Sequence, residues 1–159
     1  MKRKFTPIGF KKVMAVFGLV SSIFAVALVF LPWEKPWTSS PGIPEPISGW
    51  ELATEQGWIS PYISLAGVVL VVVGAIGELA SRTSRAVDPF NLLMVVGGAL
   101  ILIGGIWGYF SVPPQANILP GTGLNAIMMV GGLLLLLGGL ALVGGLKPER
   151  MGLQTGEGT

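Results

Sequence analysis

Four long apolar stretches constrain this chain more than anything else in it. They run Val13–Leu31, Pro61–Ala80, Pro89–Phe110 and Leu124–Leu146, and the only residue inside them that is charged at neutral pH is Glu78. About 20 helical residues cross a hydrocarbon core about 30 Å thick, and each stretch has that length. Backbone polar groups in lipid must be satisfied within their own segment, which selects helices here. The sequence therefore predicts an all-α membrane protein, a four-transmembrane-helix bundle. Residues 1–159 form one integral membrane domain, with an outer loop at 32–60 and a tail at 147–159.

The ends of the stretches carry helix signals. Ser60–Pro61 and Asp88–Pro89 each read as an N-cap followed by proline in the first turn. Leu31–Pro32 reads as a stop, because the residue before proline is pushed out of the helical region. The basic residues give the orientation. Lys2, Arg3, Lys4, Lys11, Lys12, Arg82, Arg85, Lys147 and Arg150 all fall on one side of a four-span arrangement, and only Lys35 falls on the other. The positive-inside rule then predicts a protein of the cytoplasmic membrane with both termini cytoplasmic. A basic segment followed by an apolar run also begins a signal peptide. Here the run is long and Leu31-Pro32-Trp33-Glu34 lacks a small-residue cleavage pattern, so an uncleaved first helix is expected.

Composition narrows the chemistry. Charged residues make up 11% of the chain, against about 25% in a typical soluble domain. There is no cysteine and no histidine. Disulfides, thiolate metal sites and histidine acid–base chemistry are thereby excluded. No basic stripe on a soluble fold suggests nucleic acid. An enzyme is not expected, nor a cofactor or metal. Glu78 lies near the end of its stretch with Arg82 four residues on, which predicts an interfacial carboxylate snorkelling toward that arginine. Asn91 and Asn125, at helix starts, are expected to cap or to sit at the interface.

The last two stretches share a pattern. Asn91–Ile106 and Asn125–Leu140 align without a gap and are identical at nine of sixteen positions. Gly97-Gly98 is followed seven residues later by Gly104-Gly105, and Gly131-Gly132 likewise by Gly138-Gly139. The second stretch holds a sparser version, Gly67 and Gly74, and Gly104 with Gly108 adds a small-xxx-small pair. Seven residues are nearly two helical turns, so these glycines recur on one face. Helices in lipid associate where small residues let backbones approach, so the eleven glycines named are expected to form a packing seam. The first stretch is poorer in glycine and is expected at the periphery of the bundle or against a partner.

The outer loop is the most individual segment. It contains five prolines and four tryptophans and has a net charge of −3. Its length suits a small cap, with a strand pair or a short helix near Glu51–Gly57. Trp33, Trp37, Trp50 and Trp58, with Trp107, are expected at the outer interface, touching headgroups or a partner. At the other side Lys2, Arg3, Lys4, Lys11 and Lys12, interleaved with Phe5, Ile8 and Phe10, are expected to touch anionic lipid headgroups.

The layout of four helices, a longer tryptophan-bearing first loop and a short second one resembles small tetraspan membrane proteins of claudin-like topology. It is more similar to prokaryotic four-span proteins of unknown function whose first loop is rich in Pro-Trp and Gly-Trp. Claudins pair a loop tryptophan with two cysteines. Trp50 and Trp58 stand here without them, so the resemblance implies topology and no junction function. The functional expectation is a non-catalytic accessory or scaffold subunit of a larger membrane complex, with lipids and a membrane protein partner or a second copy around it. The alternative is a small oligomeric channel or transporter.

Overall fold

The computed structural model describes residues 7–36, 45–81, 89–112 and 118–145. In chain order they form α1 (Pro7–Val29), β1 (Pro32–Pro36), β2 (Ile47–Ser48), α2 (Gly49–Glu55), α3 (Ser60–Ala80), α4 (Pro89–Ser111), β3 (Ile118–Pro120) and α5 (Thr122–Gly145). The helices α1, α3, α4 and α5 are each long and apolar enough to cross a membrane. They pack into the expected all-α four-helix membrane bundle. Its closest pairs are α3 with α4 and α4 with α5, and α1 closes the ring against α3 and α5. The strands and α2 gather at one end, the capped end. The opposite end, where α1 begins, is the N-terminal end.

Glycine explains the tight pairs. On α4 the first glycine of each doublet faces α3. A Cβ added at Gly97 would lie 2.6 Å from the Gly67 carbonyl oxygen, and one at Gly67 would lie 2.5 Å from the Gly97 carbonyl oxygen. The second glycine faces α5: a Cβ at Gly98 would sit 2.7 Å from the Leu135 nitrogen, and one at Gly105 2.5 Å from Met128 Cγ. Consecutive residues point about 100° apart on a helix, so one doublet serves two neighbours. Gly74 meets the Phe90 carbonyl, Gly104 meets Ser64, and Gly131 and Gly138 meet Leu102 and Val95. Two glycines depart from the seam. Nothing lies within 4 Å of a Cβ at Gly132 or Gly139, because the face of α5 that carries them has no close helix against it.

The interior is filled by apolar side chains. Ala25, Val29, Trp33, Leu52, Val68, Val71, Ile101, Leu124, Ile127 and Leu134 form one cluster, and Ala15, Ala75 and Met94 form a second nearer the N-terminal end. Val16, Phe17, Val20, Ile23 and Phe24 of α1 stay exposed, in keeping with a peripheral helix. Ser22 returns its hydroxyl to the Gly18 carbonyl at 2.8 Å and so needs no other partner.

The cap is a three-stranded antiparallel sheet in the order β2-β1-β3. It joins both loops of that end, because β3 pairs Ile118, Leu119 and Pro120 with Pro36, Lys35 and Glu34. The short helix α2 follows β2 directly and starts with a reciprocal cap. Ser48 Oγ accepts from the Glu51 amide at 3.2 Å, and the Glu51 carboxylate accepts from the Ser48 amide at 2.8 Å. Each bond satisfies an amide that the first helical turn leaves without a partner. Gly57, at φ +71°, then turns the chain into α3, a conformation that favours glycine. The helix α3 starts at Ser60, with Ile59 rather than Ser60 at the cap position and Pro61 in the first turn.

Candidate functional site

The capped end brings together most of the residues singled out from the sequence. Its centre is Trp33. In a regular strand successive side chains alternate between faces. Pairing of β1 with β2 advances two residues, from Pro32 to Glu34, while β2 advances one, so Trp33 is the extra residue of a bulge. This lets two consecutive residues be buried, Trp33 at 0% exposure and Glu34 at 7%. The Trp33 indole N–H donates to the Leu28 carbonyl at 3.1 Å. Its ring closes the end of the bundle against Gly49 and Gly108: a Cβ at Gly108 would lie 3.0 Å from Trp33 Cζ3 and 2.9 Å from Leu124 Cδ1. Trp33 is thus a plug, which corrects its expected role as an interfacial or partner-contact residue.

The other tryptophans divide. Trp50, on α2, is 40% exposed and lies against Phe30 with ring centroids 5.7 Å apart. Trp107, on α4, is 56% exposed. Trp58 is half-buried against the larger core cluster. Trp37 lies outside the described residues. Around the same end Leu31, Ile59, Tyr62, Tyr109 and Phe110 are also exposed. The Tyr109 and Phe110 rings meet edge to face at 5.9 Å. Ile103, Ile106, Trp107, Phe110 and Ser111 line an open, almost wholly apolar groove along α4.

Two carboxyls of the cap are displaced in opposite directions. Burial pushes the Glu34 carboxyl above the ordinary 4.5. Hydrogen bonds from the Ser48 amide and hydroxyl hold the Glu51 carboxyl below it. Glu34 Oε1 and Ser60 Oγ are both buried and have no hydrogen-bond partner. Among the described residues no three acidic side chains gather to hold a metal ion.

The N-terminal end differs from the sequence expectation. Glu78 is buried, at 3% exposure, between packed helices and does not snorkel outward. Lys11, expected among lipid headgroups, is buried too. Asn91 is fully buried, and neither side-chain Oδ1 nor Nδ2 has a hydrogen-bond partner. For Glu78 and Asn91 the reason lies in the same glycine seam. Gly74 and Gly77 let Phe90 approach α3 closely, and this draws the start of α4 and the end of α3 together. Lys12 is half-buried. Lys2, Arg3, Lys4 and Arg82 lie outside the described residues.

Comparison with known proteins finds no matching family model, no similar curated protein and no similar solved structure.

Proposed function

We propose that this chain is a non-catalytic accessory or scaffold subunit of a larger assembly in the cytoplasmic membrane, oriented with its cap outside and its termini in the cytoplasm. The observation that carries this reading is the filled interior. Apolar side chains occupy the bundle from Trp33 at the cap to Met94 near the other end. A bundle packed in this way is a rigid body whose chemistry lies on its surface. The largest aromatic concentration on that surface is at the capped end, where Phe30, Trp50, Trp107 and Phe110 are exposed. Aromatics are enriched at protein contacts and at membrane interfaces, and that end of the bundle serves both.

A photo-crosslinking residue at Trp50, in the full-length protein in its own membrane, tests the reading. A discrete crosslinked membrane protein that also co-purifies in mild detergent is expected. Lipid adducts alone, with a solitary monomer after purification, would sink it.

A second reading, a small oligomeric channel or transporter, draws support from Lys11, Glu78 and Asn91, three buried polar residues near one end of the spans. Intramembrane polar residues often mark solute paths. Solute flux into liposomes that is abolished by Asn91→Leu would favour this reading, and tight liposomes would remove it.

A further inference from the structure

Glu34 is the one carboxyl that the cap buries, and it neighbours the plug in sequence and in the bulge. One of its oxygens has no hydrogen-bond partner. The elements packed on β1 include β2, β3, α1, α2 and α5, and α4 meets the Trp33 ring at Gly108; the one titratable residue of α4 is the exposed Tyr109. β2, β3 and α5 carry no ionisable side chain. The lysines of α1, Lys11 and Lys12, sit near its start, at the opposite end of the bundle. The ionisable residues of α2 are the acids Glu51 and Glu55, both exposed, and Lys35 on the same strand is exposed as well. The surroundings of Glu34 thus offer little to compensate a negative charge, and a buried carboxylate without compensation is costly.

We propose that Glu34 is an acid-operated latch on the cap: its protonation holds the sheet down on the bundle, and its ionisation loosens the sheet together with Trp33. The neutral carboxyl carries no charge to desolvate, so it can stay buried under the sheet. Once ionised, the group gains by reaching water. The sheet is the element that can release it, because few backbone pairs hold it. They are the three-residue register with β3, the short pairing with β2, the Gly49 amide donating to the Leu31 carbonyl at 3.4 Å, and the Gly121 amide donating to the Trp33 carbonyl at 2.6 Å. Opening would expose the Trp33 indole and the buried Ser60 hydroxyl beside it.

The sign follows from linkage. The closed form holds its proton more tightly than the open form. Closure is therefore fully favoured below the ordinary carboxyl value of 4.5 and weakens as pH rises through the higher value of the closed form. Above both values the closed-to-open ratio is reduced by about tenfold for each unit separating them.

Hydrogen exchange of the Gly121 amide in the full-length protein in nanodiscs, corrected for intrinsic rates, reads the latch directly. Protection is expected to fall several-fold from pH 4.5 to pH 8 in the wild type. In Glu34→Gln it should be high and level across the range, while Glu51→Gln should keep the wild-type slope. Level protection in the wild type, or an unchanged slope in Glu34→Gln, overturns the proposal. A carboxyl carbon titration of Glu34 in the wild type gives a check that needs no variant: a midpoint at or below 4.5 also overturns it.

Discussion

The helices α4 and α5 carry nearly the same sequence and use it differently. In α4 both glycines of each doublet are in close contact, one with α3 and one with α5. In the matching doublets of α5 Gly131 and Gly138 are used, and Gly132 and Gly139 face open space. Position in the ring decides this. The central helix of a tightly packed trio needs two small faces, and a flanking helix needs one. A glycine pattern therefore states where backbones can approach, and the neighbours decide where they do.

Substitutions can break this contrast, and the largest effect should come from the plug. Trp33→Ala removes a fully buried indole that closes the α4 seam at Gly108. It should cost about 3–5 kcal/mol, read as a loss of unfolding resistance in detergent. An effect below about 1 kcal/mol would show that the seam is independent of the cap. Next come Gly97→Leu and Gly98→Leu, which push a side chain into the α3 or the α5 backbone. Each should cost at least about 1–3 kcal/mol. Equal tolerance at both positions would defeat the two-faced reading of α4.

The counterpart in α5 should be nearly silent. Gly132→Ala and Gly139→Ala meet no atom within 4 Å and gain helix propensity, so thermal unfolding should move little or rise slightly. Marked destabilisation would mean that this face is occupied in the membrane.

The smallest effect is expected at Glu51. Its carboxyl is held low by Ser48, so the cap of α2 contributes fully above the ordinary 4.5 and is lost as pH falls below that value. Amide protection in α2, corrected for intrinsic rates, should fall on acidification, and Glu51→Gln should remove most of that dependence. This is the reverse of the trend expected at Glu34, so the two carboxyls separate the helix from the sheet.

Much of this architecture is legible in the residues. The four spans follow from apolar length alone, and the proline-marked starts of α3 and α4 fall within a residue of expectation. A short helix is expected near Glu51–Gly57, and α2 forms two residues earlier, at Gly49–Glu55, because Ser48 and Glu51 cap each other. The cap sheet is less legible. β3 has three residues and gains its pairing only from β1, a tertiary contact with no local pattern. The burial of Trp33 depends on a bulge, and one extra residue is not visible in a single strand. Gly98 and Gly132 have near-identical local sequences and opposite surroundings. The burial of Lys11 and Glu78 arises the same way, from which helices happen to meet at that level.

The short strands of the cap carry one more consequence. Exposed sheet edges recruit other chains by lending them unpaired backbone amides. Here β2 supplies two residues and β3 supplies three, the last of them Pro120, which has no amide hydrogen to lend. So small a template cannot seat an added strand firmly, which guards the molecule against edge-to-edge aggregation in a crowded membrane. Among the described residues, it is side chains and not strand edges that this end offers to a partner.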